Sequence, residues 1–221
     1  MGRYYEENYE LLKQKLKRMV EAVQEMVDKT ILALSTNDVE LAQEVIERDE
    51  FIDHLEVEID ELVIKLLALQ QPMAVDLRFL VAALKINNDL ERMGDQAVNI
   101  AQNVLMLKNE SERPHIVDFA EMEDVVQEMM HQSIAAFNTA DVDAAYAVCE
   151  RDDVVDEMNR NIIRTLASHS RTHPEDAERS ISLLLISRNL ERIADLSTNV
   201  AEEVVYYIQG RFIKHAPRSD A

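Results

Sequence analysis

The sequence predicts an all-α protein built as two tandem three-helix bundles, with six helices in total. The 221 residues include only three Gly and four Pro, too few for the frequent turns that a β-sheet protein needs. Apolar residues recur at helical spacing between the prolines, as in Leu12, Leu16, Met19, Val23 and Met26. The second half of the chain also repeats the residue pattern of the first half.

Breaks between periodic stretches place the six helices. Pro72, Pro114 and Pro174 each precede a helix, because proline is tolerated at a helix start but disrupts a helix interior. Short polar residues at 35–38 and 138–141 can cap new helices, and Gly210 suits a C-terminal cap. We therefore expect helices at about 4–35, 38–70, 73–108, 116–139, 141–170 and 175–209.

The two halves align with each other at polar positions as well as apolar ones. A shift of 103 maps Glu47-Arg48-Asp49 and Asp53 onto Glu150-Arg151-Asp152 and Asp156. A shift of 100 maps Leu90-Glu91-Arg92 and Asp95 onto Leu190-Glu191-Arg192 and Asp195. Packing explains shared apolar positions, but it does not explain shared carboxylates. We therefore predict a first repeat at 1–112 and a second at 113–221.

The composition narrows the classes of molecule that the protein could bind and the compartment in which it would work. A formal net charge of −20 disfavours nucleic acid, whose binding needs Lys and Arg, and disfavours direct contact with anionic lipid. The single cysteine, Cys149, excludes an internal disulfide. The N-terminus lacks the apolar core of a signal peptide, and no apolar run is long enough to insert in a membrane. We expect a cytoplasmic protein.

Two acid pairs spaced i, i+4 occur in each repeat. They are Asp49/Asp53 and Glu91/Asp95 in the first, and Asp152/Asp156 and Glu191/Asp195 in the second. Each pair places two like charges on one helix face, which is unfavourable. A divalent cation relieves this repulsion because hard cations bind carboxylate oxygens. Antiparallel packing of the second and third helices of a repeat would bring its two pairs together.

Other interpretations of the acid pairs remain open. They could form a solvated face neutralised by Arg92 and Arg192, in a helical spacer or oligomer scaffold. Gly94 and its equivalent Ala194 suggest that a neighbouring helix comes close to the pairs, which core packing alone would also explain. A di-iron enzyme would need two Glu-x-x-His motifs, and only Glu128–His131 fits on a helix. No catalytic or cofactor-binding residue is therefore predicted.

Two hexapeptides about 100 residues apart carry a resemblance to a known family. Leu90-Glu91-Arg92-Met93-Gly94-Asp95 and Leu190-Glu191-Arg192-Ile193-Ala194-Asp195 resemble the paired signature of the PhoU family. Asp76-Leu77-Arg78 after Gln71-Pro72, and the ending Tyr206-Tyr207-Ile208-Gln209-Gly210, support it. The resemblance covers the chain from about residue 4 to residue 215.

The resemblance implies a fold and a set of metal ligands. PhoU proteins are two tandem three-helix bundles, often homodimers, and some bind multinuclear iron or zinc through an E/D-x-x-x-D motif; another divalent cation is the alternative. The ligand candidates are Glu91, Asp95, Glu191 and Asp195, with Asp49, Asp53, Asp152 and Asp156 behind them. The second copy departs from the pattern at Ala194 and at Asp176-Ala177-Glu178, which weakens the expectation of a second cluster.

The resemblance also implies a function. PhoU proteins are non-enzymatic adaptors between the ATP-binding subunit of the phosphate ABC transporter and the phosphate-sensing histidine kinase. They restrain phosphate uptake and phosphate-starvation signalling when phosphate is plentiful. This implies a cytoplasmic protein that protein partners recruit to the inner face of the membrane. The alternative is a carboxylate-bridged metal enzyme of a helical bundle.

Overall fold

The structure, a computed structural model, describes residues 2–69, 72–108 and 115–213. Over these residues it is helical and contains no strand, so the all-α prediction is confirmed. The six predicted helices are present, the fifth of them as two segments. The predicted boundary between residues 112 and 113 lies outside the described residues. The helices are α1 Gly2–Thr36, α2 Val39–Leu69, α3 Ala74–Leu107, α4 Ala120–Thr139, α5 Val142–Cys149, α6 Asp152–Thr172 and α7 Ala177–Gln209, with a 3-10 turn at Pro174–Asp176 before α7.

The fifth predicted helix is interrupted, which the sequence did not indicate. Instead of one helix over 141–170, α5 ends and α6 begins on either side of Glu150 and Arg151. The Arg151 N–H donates to the Val148 carbonyl at 3.1 Å, a bond that tightens the last turn of α5. The same Glu-Arg-Asp triplet at 47–49 lies inside the unbroken α2, so local sequence does not explain the break. As a consequence, Asp152 starts a helix whereas Asp49 lies within one.

The two predicted turns at 35–38 and 138–141 have matching geometry. Asn37 and Ala140, equivalent under the shift of 103, both adopt left-handed backbone, with φ of 53° and 55°. The following aspartates then cap the next helices, as the polar residues predicted. The Asp38 carboxylate accepts from the Glu40 N–H at 2.9 Å, and that of Asp141 accepts from the Ala144 N–H at 3.0 Å.

Replacing Ala140 with Gly is expected to raise the free energy of unfolding by about 1 kcal/mol. An L-residue with a Cβ loses about 1–2 kcal/mol in the left-handed region, and glycine avoids most of this cost. Urea unfolding followed by circular dichroism measures the change. Ala135→Gly, at an exposed position inside α4, is the matched control and should lose about 1 kcal/mol. A lower free energy of unfolding in both variants would contradict the left-handed backbone assigned to Ala140.

α3 and α7, the third helices of the two repeats, pack against each other in antiparallel orientation. The Arg78 Nε donates to the Tyr207 carbonyl at 3.1 Å, and further along Lys85 and Glu203 form an ion pair of 2.7 Å. Leu90 and Leu190 are fully buried, so each hexapeptide is anchored in the core by its apolar residues. No helix among the described residues has an apolar stretch long enough to cross a membrane.

Candidate functional site

The first acid group consists of Asp49, Asp53 and Glu56 on α2 with Glu91 and Asp95 on α3. Burial raises the pKa of Glu91 to about 7, and the negative charges of the other four members add to this rise. Burial also raises the pKa of Asp49, with further contributions from Asp53 and Asp95. The packing of α2 on α3 therefore places both acid pairs of the first repeat within electrostatic reach of each other.

Glu56 is a member of this group that the comparison of repeats missed. It follows Asp49 by seven residues and Asp53 by three, so helical spacing alone could have found it. Its equivalent in the second repeat is Asn159, which removed it from the shared pattern. Burial raises the pKa of Glu56, and the neighbouring Asp60 adds to the shift, while a hydrogen bond with Asn88 opposes it.

The second acid group consists of Asp152 and Asp156 on α6 with Glu191 and Asp195 on α7. Burial, followed by the charges of the other three members, raises the pKa of Asp195 to about 6. The Thr198 hydroxyl also donates to the Asp152 carboxylate at 3.4 Å. Because Asp152 is the first residue of α6, the helix dipole stabilises its negative charge, an effect that Asp49 lacks.

The two acid groups differ in the positive charge beside them. Burial raises the pKa of Glu191, but Arg188 and Arg192 oppose this shift, and Asn159 donates a hydrogen bond to it. In the first group, burial raises the pKa of Asp95 and the charge of Arg92 opposes this rise. Asn88 occupies the position that is Arg188 in the second repeat. The first group thus combines five carboxyls with one neighbouring arginine. The second combines four carboxyls with three arginines, because Arg160 also forms an ion pair with Asp156 at 3.5 Å. The first group carries more uncompensated negative charge.

The small residue at position 94 allows α1 and α2 to approach the first hexapeptide closely. A Cβ added to Gly94 would lie 3.5 Å from the Ile52 Cγ2 and 3.8 Å from the Met26 Sδ. These are ordinary van der Waals contacts, so alanine, as at Ala194, would also fit. The neighbouring helix expected beside the acid pairs is therefore α2, which itself carries Asp49 and Asp53.

The donor chemistry of both groups fits a hard cation. All members are carboxylates, the ligands of Mg²⁺, Ca²⁺, Mn²⁺ and iron, whereas zinc sites usually contain Cys or His. Asp53, Asp95 and Asp195 are the more exposed members, although neighbouring side chains still cover part of Asp195, and the other members are partly buried. Both groups are therefore open at the surface. Across 2–69, 72–108 and 115–213 no three His, Cys, Asp or Glu side chains converge on one ion position. Binding would therefore need these carboxylates to rotate.

Glu128 and His131, the Glu-x-x-His motif found on a helix of the described residues, form contacts outside both acid groups. Glu128 pairs with Arg151 at 2.7 Å, and the His131 Nε2 lies 3.1 Å from an Asp28 carboxylate oxygen. Both side chains are exposed. The structure thus does not join this motif to the carboxylates that a di-iron site would require.

Comparison with known proteins gives the same family along nearly the whole chain. The family model described as PhoU domain matches residues 16–104 and 119–204. The phosphate-specific transport system accessory protein PhoU homolog of Aquifex aeolicus is 40% identical over 203 residues, covering 92% of each chain. PhoU homolog 1 of Thermotoga maritima is 34% identical over 212 residues, covering 96% of this chain and 91% of the relative.

Solved structures agree with this assignment. The crystal structure of PhoU from Pseudomonas aeruginosa superposes with a TM-score of 0.90 at 33% identity, over 94% of this chain and 100% of that one. The phosphate transport system regulatory protein PhoU from Streptococcus pneumoniae gives a TM-score of 0.85 at 27% identity, over 95% and 99%. With the twin hexapeptides and the duplicated acid groups, these matches show that the chain belongs to the PhoU family.

Proposed function

We propose that this protein is a regulatory accessory protein of phosphate transport and has no enzymatic activity of its own. The observation that carries the proposal is the 34–40% identity, over more than nine-tenths of the chain, to proteins named as phosphate-specific transport system accessory proteins. Both copies of the family hexapeptide lie on equivalent helices, α3 and α7, which supports carrying the function over to the whole chain.

In this proposal the protein acts as an adaptor and negative regulator. It contacts the ATP-binding subunit of the phosphate ABC transporter and the phosphate-sensing histidine kinase, and it keeps the kinase repressive while phosphate is plentiful. A net charge of −20 suits basic surfaces on protein partners. The protein would work in the cytoplasm as a homodimer, held at the inner face of the membrane by these partners.

The acid groups are proposed to bind divalent cations that shape the adaptor surface. The ligands would be Glu91, Asp95, Asp49 and Asp53 in the first repeat and Glu191, Asp195, Asp152 and Asp156 in the second. An all-carboxylate donor set suits a hard divalent cation such as Mn²⁺ better than zinc, whose sites usually contain Cys or His. Because the second acid group already has three arginines beside it, the first is expected to bind the cation more tightly.

The metal-enzyme alternative has less support. A carboxylate-bridged oxidase would need histidine beside its carboxylates, and His131 contacts Asp28 instead. The scaffold alternative, in which the acids serve only solubility, does not account for the partly buried Glu91 and Glu191. Loss of regulation when the acid groups are neutralised would separate the adaptor from the scaffold.

A gene deletion in the organism that encodes the protein tests the regulatory role. We expect the deletion to derepress a phosphate-starvation reporter in phosphate-rich medium, and the wild-type gene to restore repression. The tagged protein should retain the transporter ATP-binding subunit or the histidine kinase in a pull-down from phosphate-rich cells. An unchanged reporter together with an empty pull-down would contradict the proposal. Oxygen consumption or phosphoester hydrolysis by the purified protein with iron or manganese would favour the enzyme.

A further inference from the structure

A cavity of about 560 Å³ lies at one end of the helix bundle, and no member of either acid group lines it. The ends of α1 and α3 and the starts of α4 and α7 meet there. Its volume falls within the range of small-molecule sites. The apolar residues that line it are Leu34, Val104, Leu107, Val117, Phe119, Ala120 and Leu183.

Glu123, in the first turns of α4, also lines this cavity. Its side chain is only 6% exposed, and it has no hydrogen-bond or ion-pair partner in the described part of the chain. The equivalent position in the first repeat is Val20, which is 2% exposed. The first repeat thus folds with an apolar residue at this position, which indicates that the fold does not need a carboxyl there. A largely buried carboxylate without a protein partner is unfavourable unless water or a ligand compensates its charge.

The electrostatic surroundings of Glu123 favour a cation. Burial raises its pKa to about 7, and the charges that add to the shift are those of Asp118 and Asp124, both negative. Arg179 and His115 also line the cavity, but neither contributes a lowering effect on the Glu123 pKa. The carboxyl end of the cavity thus has negative potential. Its remaining walls combine apolar side chains with the polar Ser35, Thr36 and Asn37.

We propose that this cavity binds a small organic cation, an ammonium or guanidinium group on an apolar stem. The cationic head would pair with the Glu123 carboxylate, with Asp118 nearby, and the stem would pack against Phe119 and Leu183. This ligand compensates the charge of Glu123 and removes apolar wall from water at the same time. The site uses neither acid group, so it stands apart from the proposed regulatory function.

Titration of the isotope-labelled full-length protein with n-hexylammonium, followed by NMR, tests the proposal. Amide shifts should move around the cavity, and n-hexanol should bind about tenfold more weakly because it lacks the charge. Glu123→Gln should weaken n-hexylammonium binding about tenfold. Glu121→Gln is the matched control, since Glu121 is an exposed acid on the same helix, and it should change the affinity by less than about twofold.

Four results would overturn the proposal. Equal binding of n-hexanol and n-hexylammonium would show an apolar cavity without charge recognition, and undiminished binding to Glu123→Gln would place the cation elsewhere on the acidic surface. Tighter binding of an amide-capped lysine peptide than of the free amine would assign the cavity to a partner protein's side chain instead of a small molecule. Absence of any shift around the cavity would also contradict it.

Discussion

The double substitution Glu91→Gln/Asp95→Asn is expected to stabilise the metal-free protein while removing most of its stabilisation by Mn²⁺. Neutralising the two acids relieves repulsion within the first acid group, worth about 1 kcal/mol once solvent screening is allowed for. The wild-type protein should instead gain about 2.7 kcal/mol at a Mn²⁺ concentration 100-fold above Kd, because the cation binds only the folded state. Urea unfolding with and without Mn²⁺ measures both effects.

The control for this experiment is Glu40→Gln/Glu44→Gln. It removes an acid pair of the same spacing from exposed positions near the start of α2. It should leave the stabilisation by Mn²⁺ intact, because Glu40 and Glu44 belong to neither acid group. If the control and the acid-group variant lose the Mn²⁺ effect equally, the effect comes from the overall charge of −20 and not from a site.

Glu123→Val is expected to raise the free energy of unfolding by about 1–2 kcal/mol at pH 8, once solvent screening of the carboxylate is allowed for, and by much less near pH 4.5. The folded-state pKa of Glu123 is about 7, against an ordinary value of 4.5. The folded state therefore holds this proton more tightly than the unfolded state. Stability falls as pH rises from about 4.5 to about 7, and above that range the full cost of the buried charge remains. Valine removes this cost and reproduces the packing of Val20.

Urea unfolding of the wild type and Glu123→Val at several pH values checks this prediction. The difference between the two curves should widen between pH 4.5 and 7 and then level off. Glu121→Val, at an exposed position on the same helix, should show no such widening. A gain that is the same at all pH values would reflect packing alone and would contradict the buried, charged state of Glu123.

The helix arrangement was predictable because its signals are local. Proline and capping aspartate determine where a helix can start, and Asp38 and Asp141 cap as the sequence indicated. The break at Glu150 and Arg151 was not predictable, since the same triplet continues a helix at 47–49. Tertiary contacts decide there between one helix and two.

The acid groups were only partly predictable. Spacing places two acids on one helix face, and antiparallel packing predicts that the faces meet, so Asp49, Asp53, Glu91 and Asp95 could be selected from sequence. A comparison of the two repeats selects only the residues that both repeats share. It therefore does not select Glu56, or the difference between Asn88 and Arg188. Glu123 was overlooked because its burial is a tertiary property, although its alignment with Val20 was a usable signal.

If the acid groups are cation sites, the first should bind Mn²⁺ more tightly than the second. Isothermal titration of Mn²⁺ into metal-free protein tests it most directly, with wild type, Glu91→Gln/Asp95→Asn and Glu191→Gln/Asp195→Asn compared side by side. We expect the tighter binding step to vanish in the first variant and to persist in the second. Identical titration curves for all three proteins would contradict the claim.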